Sequence, residues 1–341
     1  MPSHGPLLTV LGELVVDLLP VPAAGAGIEG TAPQFVARPG GNALNVAVAA
    51  GRLGAPVELR ARLGAGPLGA NLRRHAELSG VDVTGFVVAD EPVSLAVVGL
   101  QPDGSAEYGF HVLGAADWQW TDEELADVVP ERTGILHIGS ISSWTAPGSE
   151  AIARLAERLH AGGTLISVDP NLRPMLADGP VGGSLGNTAA VVRERLDRLI
   201  ALADIVKVSS EDLAWLEPGP GTGPELDEAA QRWADRGPAL VDLTDGGEPL
   251  RVARRGRPLL HREPPQVTVA DTVGAGDTLA AALHSGLLEA GITARAALEE
   301  LSDGRLTDLI DDAALAAALT CTRVGADPPS RAEWDAARAA R

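Results

Sequence analysis

Short β-type runs and helical runs alternate along most of the chain, as in the stretches GILHIGS, EAIARLAERLHAGG, TLISVDP and RERLDRLIALA. Such regular alternation argues for an α/β fold on a mostly parallel sheet, covered by helices on both faces. The strand-like PALVDLT and a long helical C-terminal part continue the pattern. With 341 residues and no internal repeat, the chain reads as one continuous domain over residues 1–341. Gly/Pro-rich stretches at residues 178–188 and 217–224 read as loops inside it.

One region breaks the alternation. Residues 93–113, VSLAVVGLQPDGSAEYGFHVL, read as two strands joined by an Asp103-Gly104 turn with no crossover helix. A hairpin of that kind does not belong inside a parallel sheet. Together with TAPQFVARPG at residues 31–40 it predicts a small separate sheet, a lid, with strands from about 12–38 and 93–115.

The charge balance narrows the function classes. There are 27 basic and 46 acidic side chains, a formal net charge of −19, so the average field repels nucleic acid and anionic membranes. A small anion can still be held locally by backbone amides at a helix N-terminus. The single cysteine, Cys321, excludes an internal disulfide or a multi-cysteine metal site and fits a reducing, cytoplasmic location. The N-terminal stretch lacks a basic region followed by a long apolar core, and no run of apolar residues is long enough to span a membrane. Lysine occurs once, at Lys207, in a chain rich in arginine, alanine and glycine.

Two segments carry the chemistry. In DTVGAGDTLAAAL, from Asp271 to Leu283, the β-type run QVTVADT meets a small-residue loop that opens into an alanine-rich helix. Gly274, Ala275 and Gly276 would leave backbone N–H groups open to an anion, aided by the positive end of the helix. Beside them Asp277 is placed to take the proton of an attacking hydroxyl, although the residues alone leave it equally an ordinary first-turn helix acid. The second segment, residues 38–64, sets Gly40 and Gly41 before Asn42 and Asn45 and a small-residue helix. Asn both donates and accepts, which suits hydroxyl recognition, and helix capping is the alternative.

These segments resemble the two signatures of the ribokinase-like, or phosphofructokinase B type, carbohydrate kinase family. The first matches from Gly41 through Asn45, Ala47, Gly54 and Gly64, and DTVGAGD matches the second. Further resemblances cover nearly the whole chain: GELVVDLLP, VDPNLRP, VKVSSEDLAWL and AALTCTRVGA. Together with ADWQW at residues 116–120, these strings are most similar to the fructokinase branch.

The resemblance implies a three-layer ribokinase-like fold with a β-sheet lid, and ATP-dependent phosphoryl transfer with Mg²⁺. It implies Asp277 as catalytic base with Gly274, Ala275 and Gly276 as the anion hole, and Asp17, Gly40, Gly41 and Asn45 as sugar contacts. Arg173 and Asn171, in DPNLRP, fall at a strand C-terminus, where ligands of open α/β sheets collect. Lys207 shares that context, with a structural or a phosphate-facing role open. Ser209, Glu211 and Asp212 stand where the family has an Asn-x-x-Glu element for magnesium and phosphate, so Asp212 and Glu211 would act on the ion through water. SSED is also a good helix start.

The chain departs from the family in two loops. LTDGGEP keeps Thr244 and Gly246 of the nucleotide loop but puts Pro249 where a second glycine is expected. RVGADPPSRAEW keeps Gly325 and Ala326 but is short beside relatives that use this loop, with Asp271 and Val273, to hold K⁺. Relatives acting on acidic sugars carry an arginine in the second lid strand, whereas EYGFHVL has His111, so a neutral sugar, fructose, is the expected acceptor. The alternatives are another sugar or a nucleoside (ribose, adenosine, 2-keto-3-deoxygluconate), or a weakened sugar-binding homologue. In the family it resembles, lid edge strands pair between subunits, so the resemblance implies a homodimer. Gly64, Gly66 and Gly69 spell the dinucleotide pattern G-x-G-x-x-G, but they do not follow the first strand and no acid ends a second strand at the required distance.

Overall fold

The computed structural model describes residues 5–21, 34–100, 106–217, 219 and 223–341. The expected Asp103-Gly104 turn lies outside them, as do residues 31–33 and part of the 217–224 loop. The first strands are β1 (Leu7–Leu11), β2 (Val15–Pro20), β3 (Phe35–Gly40), β4 (Val57–Arg60), β5 (Arg62–Gly64), β6 (Val87–Ala89), β7 (Ser94–Leu100) and β8 (Ala106–His111). They are followed by β9 (Thr133–Gly139), β10 (Leu165–Asp169), β11 (Ile205–Ser209), β12 (Leu240–Thr244), β13 (Leu250–Ala253) and β14 (Leu260–Arg262). The helices are α1 (Asn42–Arg52), α2 (Pro67–Leu78), α3 (Ile141–Trp144), α4 (Gly148–Ala161), α5 (Pro174–Ala177), α6 (Pro180–Ser184) and α7 (Ala189–Leu202). Beyond them come α8 (Ser210–Leu216), α9 (Gly223–Arg236), α10 (Ala275–Glu289), α11 (Arg295–Glu299), α12 (Asp303–Cys321) and α13 (Arg331–Ala339).

Eight strands form the main sheet in the order β14-β13-β12-β11-β10-β9-β1-β4. The pairs from β12 to β4 are parallel and the two at the β14 edge antiparallel. The period of two along each strand divides the core between the faces. Ile135, Leu165, Ile205 and Leu240 pack with α1, α10 and α12, while Leu136, Ile166, Val206 and Val241 pack with α4, α7 and α9. That is the expected three-layer α/β arrangement. The same alternation puts His137, Ser167, Asp169, Lys207 and Asp242 on the α10 side, and all five are buried. A polar strip therefore runs through the sheet face that supports the candidate site.

The four-stranded second sheet, β3-β2-β7-β8, is the separate small sheet expected from the break in alternation. Its centre is parallel, with Val15 opposite Ser94, and its outer pairs are antiparallel.

Three local expectations change. The stretch LLTVLGELVVDLL, residues 7–19, reads in sequence as one β-type run, whereas the chain leaves the main sheet after Leu11 and enters the small sheet at Val15. A Cβ on Gly12 would lie 2.6 Å from that of Ala43, so only glycine passes this close to α1, and the Glu13 carboxylate accepts from the Ser142 N–H and hydroxyl at 3.1 and 3.0 Å. QVTVADT forms no strand. Its Ala270 and Asp271 N–H groups instead donate to the Cys321 carbonyl at the end of α12, at 2.8 and 3.3 Å. Within 178–188, Pro180–Ser184 is a short helix, begun by a proline at its first position, where no N–H is required.

Candidate active site

The C-terminal ends of the parallel strands place Asp169, Ser209 and Thr244 along one edge of the main sheet, with Asn171 and Arg173 just beyond β10. α10 starts against the same edge. Its N-cap, Gly274, has φ 76°, and a Cβ there would lie 2.7 Å from that of Ala326, so the loop after α12 closes on it. No side chain caps this terminus. The Ala275 N–H donates to the Thr272 carbonyl at 3.2 Å, while among the described residues Gly276 and Asp277 have no backbone acceptor for theirs. Of the three residues expected to hold an anion, Ala275 has its N–H engaged, while the N–H groups of Gly274 and Gly276, and that of Asp277 after them, have no backbone acceptor among the described residues.

Asp277 is 7% exposed, and both of its carboxylate oxygens are held from α1. Asn42 Nδ2 donates to Oδ1 at 2.7 Å and Asn45 Nδ2 to Oδ2 at 2.8 Å. Three residues apart, the two amides share one helix face. Asn42 Nδ2 also reaches Asp169 Oδ2 at 3.4 Å, and Lys207 Nζ donates to the same oxygen at 3.2 Å. A Cβ on Gly276 would stand 2.8 Å from Lys207 Nζ, so the ammonium lies directly under the start of α10. The lone lysine is therefore the buried counter-charge of this site.

These contacts set the protonation of the group. Burial drives the Asp277 carboxyl above the ordinary 3.8 and the Asp169 charge adds to it, against Lys207 and the two amides. Burial also acts to strip the Lys207 proton, but Asp169, Asp212 and Asp277 together hold the ammonium above 10.5. A carboxylate whose proton affinity is raised toward neutrality is a better general base than a solvated one. Asp242, in the same strip on β12, is pushed up to about 7 by burial, with Lys207 pulling it down, and its Oδ1 lacks a hydrogen-bond partner among the described residues.

The Asp242 shift has a sign that can be tested. A carboxyl raised in the folded state costs stability once the unfolded chain ionises, so Asp242→Asn stabilises the protein as pH rises from 4 to 8. About 1.4 kcal/mol is recovered per pKa unit at the upper end. Urea denaturation at the two pH values checks this, and a gain independent of pH would exclude the ionisation account.

A second group of expected residues meets at the root of the small sheet. A Cβ on Gly40 would run into the Asp17 carboxylate, and Gly41, at φ 103°, passes within 2.6 Å of the Glu13 carbonyl by the same measure. Asp17 is half-buried and raised to about 6 by burial, against the charge of Arg173. Arg173 Nη1 donates to the Leu172 carbonyl at 2.9 Å and to Asn171. Opposite Asp17 in the antiparallel register stands the exposed Arg38, which the sequence reading passed over although only Pro39 separates it from the diglycine. Facing positions of an antiparallel pair share one side of the sheet. His111 is exposed at the end of β8.

The remaining residues lie on loops around this edge. Ser209 caps α8, accepting from the Asp212 N–H at 3.0 Å, and Asp212 Oδ1 accepts from the Leu172 N–H at 2.9 Å, so both serve the fold directly. Glu211 is exposed beside them. Asp271 joins two loops, accepting from Val273 N–H at 3.1 Å and Gly325 N–H at 2.8 Å. Thr244 ends β12, and Gly246, at φ 56°, turns the chain toward β13. Neither shares a hydrogen bond with the Asp277 network. Sequence reasoning named Asn42 and Asn45 for hydroxyl recognition or capping and left the role of Lys207 open, and it missed that both amides hold Asp277 and that Asp169 pairs with Lys207. The i, i+3 spacing of the two asparagines was the one available signal.

Comparison with known proteins places the chain in a family. A family model described as pfkB family carbohydrate kinase matches residues 6–333. A fructokinase of Rhizobium leguminosarum bv. trifolii is 32% identical over 94% of this chain and 87% of its own length. The crystal structure of a Xylella fastidiosa fructokinase with bound ATP superposes with a TM-score of 0.81 at 27% identity, covering 98% of each chain. A double mutant of the Vibrio cholerae fructokinase, solved with fructose, ADP and potassium ion bound, gives 0.79 at 25% identity over 98% of this chain and 99% of that one. Among the described residues no helix is long and apolar enough to cross a membrane. With the family match running almost from end to end, the chain belongs to the pfkB family of carbohydrate kinases.

Proposed function

We propose that this protein is a fructokinase, transferring the γ-phosphoryl group of ATP to a primary hydroxyl of fructose. The observation that carries the reading is a buried carboxylate, Asp277, clamped through both oxygens beside open amides at the start of α10. The attacking hydroxyl gives its proton to Asp277 as its oxygen bonds to phosphorus, and the bond to the β-phosphate oxygen breaks to release ADP. The Gly274, Gly276 and Asp277 amides and the positive helix end stabilise the charge on the transferring group, with Ala275 shaping the turn. Asp17, Gly40, Gly41, Asn45 and Arg173 orient the sugar. Lys207 balances the carboxylates behind the base, and Ser209, Thr244, Gly246 and Gly325 border the nucleotide.

Among the described residues no group of three or more His, Cys, Asp or Glu gathers around a metal position, and a Mg²⁺ that keeps most of its waters and rests on one or two carboxylates needs none. Asp212 and Glu211 would hold the ion through water, and bound magnesium neutralises phosphate charge. Asp271 and the Val273 carbonyl, beside Gly325, are oxygen donors of the kind that suit K⁺. The small sheet exposes Leu19, Val21, Phe35 and Val36 around its edge strand β3, which supports a homodimer formed through the lid. The acidic surface argues against nucleic acid and membrane partners, and the single cysteine supports a cytoplasmic location.

The decisive experiment follows ADP release from Mg-ATP with fructose, ribose, adenosine, glucose and 2-keto-3-deoxygluconate, each with and without potassium. Fructose gives the highest kcat/KM. A preference for 2-keto-3-deoxygluconate would instead assign Arg38, opposite Asp17, to a sugar carboxylate. Sugar binding without turnover would mark a weakened homologue and point to Pro249 in the LTDGGEP turn.

A further inference from the structure

The ADWQW string contributes nothing to the chemistry above, yet its aspartate is one of the most deeply buried acids of the chain. Asp117, 1% exposed, lies in a short 3-10 turn, Ala116–Trp118, outside both the main sheet and the small one. Its Oδ1 accepts from the Leu14 N–H at 2.9 Å and its Oδ2 from the Ser94 hydroxyl at 2.5 Å. Leu14 immediately precedes β2, and Ser94 is the first residue of β7. β2 and β7 are the central parallel pair of the small sheet, in register from Val15 opposite Ser94. One carboxylate thus grips the roots of both central lid strands at the point where they leave the body of the molecule.

The platform under that carboxylate is fixed. Arg62 Nε, on β5, donates to the Ala116 carbonyl at 3.1 Å, and the Ala116 N–H donates to the Pro92 carbonyl at 3.0 Å. On the other side a Cβ on Gly148 would lie 2.8 Å from the Trp118 carbonyl, so the start of α4 presses against the turn. Three positions along β2 from Leu14 stands Asp17, whose carboxylate meets Gly40 and feels the charge of Arg173 on the main body. A strand advances about 3.3 Å per residue, so a shift or tilt at the root is carried directly to Asp17.

We propose that Asp117 is a positioning residue for the sugar half of the site: by holding Leu14 and Ser94 together it fixes where the lid sets Asp17 against Gly40 and Arg173. This rests on the reading of Asp17 as a sugar contact. A carboxyl group suits the task because its two oxygens take donors from two different strands; burial pushes it up to about 7, while the bonds from Ser94 and Leu14 pull it down. Asn at this position keeps most of the geometry, since its carbonyl accepts from Leu14 and its amide can donate to the Ser94 oxygen.

Steady-state kinetics of Asp117→Ala, Asp117→Asn, Ser94→Ala and Asp17→Asn, with fructose and ATP varied in turn, test the assignment. Asp117→Ala raises the fructose KM by about tenfold and leaves the ATP KM within about twofold. Asp117→Asn restores most of the loss, and Ser94→Ala, which keeps the carboxylate and removes one grip, moves the fructose KM in the same direction by about threefold. If Asp117→Ala does not fold, Ser94→Ala and Asp117→Asn carry the decision. Combined with Asp17→Asn, the Ser94→Ala effect is less than additive, because both act through one contact. Parallel changes in both KM values, or a lowered melting temperature with an unchanged fructose KM, would reduce Asp117 to a purely structural acid and overturn the proposal. An Asp17→Asn variant with normal fructose KM, beside a raised KM in Ser94→Ala, would instead remove the sugar role of Asp17 and leave Asp117 as the residue that places the lid.

Discussion

Asp277→Asn lowers kcat by about a thousandfold, within the range expected for losing a positioned general base, while fructose affinity stays within a few-fold of the parent. The substitution keeps the shape of the side chain and removes only its capacity to take a proton. One of the two α1 amides then faces an amide in place of a carboxylate oxygen, a local loss at a single hydrogen bond. The substitution leaves Asp17 and the Gly40-Gly41 backbone, the groups proposed to meet the sugar, chemically unchanged. The pH profile supplies an independent sign. The base must be ionised, so activity of the parent falls as pH drops through the Asp277 value, which burial and Asp169 set above 3.8. That limb disappears from the residual activity of the variant. Turnover above a tenth of the parent rate would exclude Asp277 as the base.

Lys207→Met destabilises the fold by about 3–5 kcal/mol, the loss expected when one partner of a buried ion pair is removed. Methionine nearly matches the volume, so the change reports charge more than packing. Without the ammonium, Asp169 keeps no charged partner in the network, and Asp212 and Asp277 face it across a buried space. The linkage is explicit: a lysine held above 10.5 contributes its full stabilisation below that value and loses it only as pH rises through the folded value. The gap between parent and variant in urea therefore persists from pH 7 to 9. Adding Asp169→Asn to Lys207→Met recovers part of the loss, since a site stripped of both charges is less costly than one with a lone anion. A gap below about 1 kcal/mol would mean that solvent, not Lys207, balances these carboxylates.

Much of the architecture was legible because its causes are local. Alternating β-type and helical runs predicted a covered parallel sheet, and a hairpin without a crossover helix predicted the separate small sheet. The small-residue loop into an alanine-rich helix marked the start of α10, because glycine at φ 76° and an uncapped helix terminus are properties of a few consecutive residues. Reading QVTVADT as a strand failed for the converse reason. β-branched residues permit an extended chain, but a strand also needs a neighbour, and the partner of this segment is the end of α12.

Composition and periodicity were thus enough to determine the α/β class and the small sheet, and the two glycine-bearing signatures singled out Asp277 as a candidate. Only the tertiary structure decided what surrounds that carboxylate. Asn42 and Asn45 reach it across 235 and 232 residues, and Lys207 finds Asp169 across 38. The split of the first β-run at Gly12, the Arg38 register opposite Asp17 and the grip of Asp117 on two lid strands are of the same kind. Hydrophobic period and turn chemistry are written within a few neighbouring residues. The partners of a buried polar group depend on which strands become neighbours and which helix closes over them, and that is fixed only when the whole chain has packed.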